Sequence, residues 1–104
     1  MKKIGIDIDG VLCPEVAYHD KPTVETYAFV VEQINILYNS GHKIIFYTAR
    51  GWHEYDYTYE WLVDNGFLFH QLICGKPIFD IVCDDISCKN IKELYKELTK
   101  NDQQ

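Results

Sequence analysis

A chain of 104 residues has room for one hydrophobic core and none for a second domain of ordinary size. Hydrophobic residues at 47%, aromatic at 14% and charged at 25% exclude a disordered segment. The 16 acidic against 10 basic residues, a formal charge of -6, exclude a phosphate backbone or an anionic lipid surface as the natural partner.

Residues 1–104 are therefore read as a single domain that binds neither nucleic acid nor membrane. No apolar run approaches the roughly 18 residues of a membrane span. Met1-Lys2-Lys3 leads into a short mixed segment rather than a signal-peptide core, so the expected address is the cytoplasm. Cys13, Cys74, Cys83 and Cys88 form no CxxC pair, and free thiols are expected in place of a disulfide framework or a zinc knuckle.

Along the chain, Lys3 to Ile8 is a short β-branched run that stops at Asp9-Gly10 and reads as a buried strand. From Thr23, the positions Val24, Tyr27, Ala28, Val31, Ile34 and Tyr38 recur at spacings of three and four. They predict an amphipathic helix that ends at Gly41. Lys43 to Tyr47 is the second strand, leading into Thr48-Ala49-Arg50-Gly51. A second helix is expected to begin near Asp56 or Thr58 and to close at Asn65-Gly66. Phe67 to Cys74 forms a third strand, and Phe79 to Cys83 a fourth that ends in Asp84-Asp85. A last helix opens at Asn90, with Glu93 in a capping-box position, and buries Ile91, Leu94, Tyr95 and Leu98.

Strands alternating with helices predict an α/β fold with right-handed crossovers and a mainly parallel sheet, in the three-layer, Rossmann-like α/β/α arrangement. Ligands of such folds bind at the carboxyl edge of the strands. Asp7 and Asp9 end the first strand, Thr48 follows the second, Lys76 the third, and Asp84 and Asp85 the fourth, so all six gather there. Carboxylates held that close repel unless a cation neutralises them, and oxygen ligands of this kind suit Mg²⁺. Lys76 and the Thr48 hydroxyl are suited to hold phosphoryl oxygens beside it. A DxD or an Asp-Asp pair alone is usually a turn or a cap; their joint occurrence at successive strand ends is far more specific. Asp7, inside an apolar strand, also needs a compensating partner.

With these residues the chain resembles the haloacid dehalogenase-like superfamily of phosphatases. Asp7-Ile8-Asp9-Gly10-Val11-Leu12 corresponds to the first motif, Thr48 in Phe46-Tyr47-Thr48-Ala49-Arg50 to the second, Lys76 to the third and Asp84-Asp85 to the fourth. Val11 stands where many members carry Thr, and the second acid of the last motif is adjacent rather than several residues on. The resemblance implies that Asp7 is the nucleophile forming an aspartyl-phosphate, that Asp9 is the acid and base, and that Thr48 and Lys76 stabilise the phosphoryl group. It further implies that Asp7, the backbone carbonyl of Asp9 and Asp84 hold Mg²⁺, with Asp85 behind them or joined to the ion through water; which of the two adjacent acids binds the ion directly is left open.

Only short stretches follow the first and second motifs, which resembles a capless member, so substrate selection falls to loops, a large substrate or a second subunit. Ala49, Arg50 and His19 are candidate substrate contacts, with Tyr18, Trp52 and His53 nearby in sequence. Tyr55, Tyr57, Tyr59 and Trp61 are candidates for a homo-oligomer interface. Gly75-Lys76-Pro77 and Thr48-Ala49-Arg50-Gly51 resemble small phosphatases of capsular or surface polysaccharide biosynthesis, which implies a sugar phosphate or another small phosphorylated metabolite. The alternatives are a catalytically silent phosphosugar-binding or interaction protein and a receiver-like phospho-acceptor. The order of the acids speaks against the latter, because receivers carry their acidic pair on the first strand. The cysteines fall at or just after strand ends, where the nearby acidic site should raise their pKa values and blunt their reactivity.

Overall fold

The β-branched runs and amphipathic stretches resolve, in a computed structural model that describes residues 1–81 and 91–100, into strands β1 (Lys3–Ile6), β2 (Lys43–Tyr47) and β3 (Gln71–Ile73) and helices α1 (Val30–Asn39), α2 (Tyr55–Asp64) and α3 (Ile91–Thr99). The strands pair in the order β1-β2-β3, all parallel, so the chain is of the α/β class. Ile4 lies opposite Ile44, Ile6 opposite Phe46, and Phe46 opposite Leu72. Alternation puts these side chains on one face, where Ile44, Phe46 and Leu72 are buried against Ile34 of α1 and Trp61 and Leu62 of α2. Both crossovers step in one direction along the sheet, and crossovers of the same hand then carry both helices to that same face. The opposite face, with Ile45, Tyr47 and Ile73, is only partly covered by described residues.

Helix α1 begins at Val30 rather than Thr23. Tyr18–Thr23 winds as a 3-10 segment containing Pro22, whose missing N–H and ring do not suit an α-helix interior. The next residues are spent on tertiary hydrogen bonds. Tyr27 donates its backbone N–H to Leu12 at 2.8 Å, and the Val24 carbonyl accepts from the Trp61 indole at 2.9 Å. Phe29, at φ 67°, turns the chain into the helix. Val24 and Tyr27 thus have helical spacing without helical backbone.

The third strand is also shorter than Phe67 to Cys74. Phe67 and Phe69 pack their rings on Phe46, and the Leu68 N–H goes to the Asn35 side chain at 2.8 Å rather than to a strand ladder. Helix α2 starts at Tyr55, just before the expected Asp56, behind a 3-10 turn over Trp52–Glu54. Phe79 to Ile81 do not form a strand, and the rest of the expected fourth strand lies outside the described residues. Helix α3 is where the spacing puts it, but Ile91, Tyr95 and Leu98 are exposed rather than buried. No described helix is long and apolar enough to cross a membrane.

Candidate active site

Strand β1 stops at Ile6, and the next residues fold into a tight turn. The backbone N–H groups of Val11 and Leu12 both donate to the Ile8 carbonyl, Gly10 donates to the Cys13 carbonyl, and Gly10 takes φ +81°, a left-handed geometry that suits glycine. Ile8 and Leu12 are buried completely, which anchors the turn and leaves Asp7 and Asp9 flanking Ile8 at the sheet edge. One Asp7 oxygen, Oδ1, accepts the Ile8 N–H at 2.7 Å.

The loops after β2 and β3 are laced to one another. Thr48 donates its N–H to Ile73, its carbonyl accepts the Lys76 N–H at 2.9 Å, and the Arg50 carbonyl accepts the Gly75 N–H at 2.7 Å. This lacing aims Lys76 back across the edge. Its Nζ lies 3.2 Å from Asp7 Oδ2, a contact between residues 69 positions apart, and 5.6 Å from the centre of the Tyr47 ring. A cleft of about 730 Å³ opens over this pair, lined by Asp7, Asp9, Glu15, Tyr47, Ala49 and Lys76 among others.

Of the expected substrate contacts, Ala49 lines the cleft, whereas Thr48 is wholly buried below it, its hydroxyl accepting the Arg50 N–H at 3.1 Å. Arg50 is only 3% exposed. Its Nε and Nη2 donate to the two oxygens of Asp9 at 2.9 and 2.8 Å, and its Nη1 donates to Thr58 Oγ1 at 3.1 Å. Burial works against the charged guanidinium, but the hydrogen bonds and charge of Asp9 outweigh it and raise the Arg50 pKa. His19 sits on the 3-10 segment, exposed and 3.5 Å from Asp20, away from the cleft lining. Asp84 and Asp85 lie outside the described residues.

A second polar cluster was not anticipated from the sequence. Glu54, 5% exposed, accepts from Lys21 Nζ at 3.1 Å, from the Gly51 N–H at 2.8 Å and from the Tyr57 hydroxyl. Burial opposes its ionisation, yet these three donors prevail and lower its pKa from the ordinary 4.5 to about 2. Burial and the Glu54 carboxylate push the Tyr57 hydroxyl well above its usual range. Tyr18 adds ring contacts to His53 and Tyr57. The cluster joins the loop after the first motif to the start of α2, beside a small pocket of about 240 Å³ that touches Asp9, Lys21, Arg50 and Glu54. Glu54 three residues after Gly51, the acidic half of a helix-capping pair, was the legible signal, and the structure shows that half in the Gly51 N–H bond to Glu54.

The aromatic run is partly consumed within the chain. Trp61 is buried, Tyr57 serves Glu54, and Tyr55 stacks between Trp52 and Tyr59. Cys13 and Cys74 are buried free thiols. Both have raised pKa values, first through burial and then through Asp9 and Glu54 respectively; Cys83 and Cys88 lie outside the described residues.

Among the described residues no three His, Cys, Asp or Glu side chains converge to hold a metal. The donor chemistry is nonetheless of the right kind, because Asp7 presents a hard carboxylate at the cleft. The Asp9 carboxylate, taken by Arg50 on both oxygens, leaves its backbone carbonyl as the donor it can offer.

No family model matches the chain, and no curated protein matches it in sequence. Solved structures do resemble it. A crystal structure of a target protein from Vibrio cholerae matches with a TM-score of 0.69 at 23% identity, over 97% of this chain and 99% of that one. A chain in a Pnkp1/Rnl/Hen1 complex matches with a TM-score of 0.63 at 21% identity, over 92% of this chain and 34% of the other, so this chain spans about a third of that relative. At these identities the likeness is one of fold.

Proposed function

We propose that the protein is a Mg²⁺-dependent phosphohydrolase of the haloacid dehalogenase-like kind, cleaving a phosphate monoester by way of an aspartyl-phosphate on Asp7. The observation that carries this reading is the Lys76 ammonium 3.2 Å from Asp7 Oδ2 at the floor of an open cleft. A lysine there compensates the carboxylate in the resting protein and complements a phosphoryl group placed between them.

Asp7 attacks phosphorus as the bond from phosphorus to the leaving oxygen breaks, and Asp9, which rests as a carboxylate with both oxygens on Arg50 and must first take up a proton, gives that proton to the leaving oxygen. Asp9 then takes a proton from the water that attacks the aspartyl-phosphate, the bond from phosphorus to the Asp7 oxygen breaks, and inorganic phosphate and free Asp7 result. Asp7, the Asp9 carbonyl and Asp84, with Asp85 beside them, are the residues that would hold Mg²⁺. Bound there, the ion supplies charge neutralisation for the meeting of two anions. Thr48 supports the cleft through its hydrogen bonds to Arg50 and Lys76. The substrate class remains that implied by the resemblance, a sugar phosphate or similar small metabolite handled in the cytoplasm.

The same reading includes a third layer. Helix α3 is nine residues long, and so short a helix needs a partner surface to be stable. Its Ile91, Leu94, Tyr95 and Leu98 match the sheet face that both crossovers leave open, where Ile45, Tyr47 and Ile73 lie.

The test is a phosphatase screen over sugar phosphates, nucleotides and acyl phosphates with Mg²⁺, comparing wild type with Asp7→Asn. Activity is expected in the wild type, abolished by the substitution and by chelation and restored by added Mg²⁺. Equal rates for the two proteins across the panel overturn the enzyme reading and leave a phosphosugar-binding protein, a reading to which the occupied Asp9 oxygens also lend support.

A further inference from the structure

Arg50 follows the second-motif Thr48 by two residues and is an obvious candidate to grip substrate, yet it is shut away from solvent. All three of its side-chain nitrogens donate inside the protein: two form a parallel fork onto Asp9, and the third is fixed by Thr58 from the first half of α2. We propose that Arg50 is a positioning residue, which, anchored by the Thr58 hydroxyl, sets the direction of the Asp9 carboxylate at the cleft.

A carboxylate on a short side chain at a turn has free rotation about χ1 and χ2, and Asp9 is carried by the Gly10 turn rather than by a strand. A planar guanidinium gripping both oxygens removes that freedom, which a lysine with one point charge cannot do. The guanidinium in turn needs a fixed third point, or the fork can swing. Thr58 supplies it from a fully buried position on a helix packed against the core. Arg50's own backbone is pinned at both ends, its N–H on the Thr48 hydroxyl and its carbonyl on the Gly75 N–H. The aim of Asp9 is therefore relayed from α2, an element that contributes no side chain to the cleft lining described above.

This inference rests on the proposed role of Asp9, and its test is arranged so that the two can fail separately. Thr58→Val keeps shape and burial but removes the oxygen that accepts from Arg50; Thr58→Ser restores it. With a substrate on which the wild type turns over and Asp7→Asn does not, Thr58→Val is expected to lower kcat about tenfold, the scale of one hydrogen bond to a charged group. KM should stay within about twofold, since the variant leaves phosphate-binding Lys76 untouched. Thr58→Ser is expected to recover most of kcat. Arg50→Lys, which retains charge without the fork, should show the same split and provides the decision should Thr58→Val not fold. Loss confined to KM, or a kcat unchanged in both Thr58→Val and Arg50→Lys while the wild type is active, overturns the positioning role and leaves the phosphatase reading standing. Wild-type inactivity overturns the reading and the inference together.

Discussion

At the scale of single residues, the molecule separates two jobs that a list of polar residues would merge. Asp7 and Lys76 face a cleft; Arg50, Thr58 and Glu54 lie behind it and act on the backbone and on other side chains. Among the described residues, every buried side-chain nitrogen or oxygen has a hydrogen-bond partner, as expected where an orphan would cost about 1–3 kcal/mol. Glu54 makes a pH prediction with a definite sign. Its pKa is depressed in the folded protein, so its stabilisation is fully present above about 4.5 and is lost as the pH falls towards 2. The contribution is on the order of 3 kcal/mol. Glu54→Gln should therefore be less stable than wild type at neutral pH by several kcal/mol, and the gap should close between pH 5 and pH 2. Urea unfolding at stepped pH measures both proteins, and parallel curves across that range would show that the carboxylate contributes nothing.

At the scale of elements, the edge of the sheet is assembled by turns rather than by strand ends alone. Gly75 joins β3 to Lys76 with φ +75°, and a Cβ there would come 2.7 Å from the Trp52 indole nitrogen. Trp52 is exposed and can give way, so Gly75→Ala is expected to cost about 1–2 kcal/mol, the left-handed backbone penalty, rather than to unfold the protein. Because the same turn aims Lys76, kcat/KM should fall along with thermal stability. A Gly75→Ala protein as stable and active as wild type would show that this turn does not hold the lysine. The elements also show where periodicity misleads. Val24 and Tyr27 recur as a helix requires, yet the Leu12 carbonyl acceptor and the Trp61 indole donor claim that backbone for an extended connection. Hydrophobic spacing reports which side chains seek burial. It does not report which backbone groups find partners elsewhere, and Pro22 at the end of the 3-10 segment was the local warning.

At the scale of the whole molecule, one face of the sheet is packed and the other is only partly covered by the described residues. Phe46, wholly buried between α1, α2 and the Phe67 and Phe69 rings, is expected to cost about 3–5 kcal/mol when cut to alanine. Leu98 offers the contrasting measurement. It is 53% exposed as α3 is described, and a substitution there should then cost no more than about 0.5 kcal/mol. The proposed third layer requires Leu98→Ala to cost about 2 kcal/mol or more, as a large-to-small change in a packed interface does. We expect the larger value in equilibrium urea unfolding, and the smaller one removes the third layer from the proposal.

The sequence by itself determined the α/β class, the parallel direction of the strands and the places of Asp7, Asp9, Thr48 and Lys76 at their carboxyl ends. These follow from local properties: β-branched runs make strands, helical spacing makes crossovers, and crossovers keep the strands parallel, which brings their carboxyl ends to the same edge. Only the tertiary structure decided which polar residues meet. Arg50 reaches Asp9 across 41 positions and Lys21 reaches Glu54 across 33, distances over which no local pattern operates. Lys76 was placed beside Asp7 in general by topology, but its 3.2 Å approach depends on two backbone hydrogen bonds between loops. Burial also lay outside the reach of spacing. The same periodicity describes α2, whose Trp61 and Leu62 enter the core, and α3, whose Ile91, Tyr95 and Leu98 are exposed among the described residues, so spacing names the face that seeks a partner and not the partner.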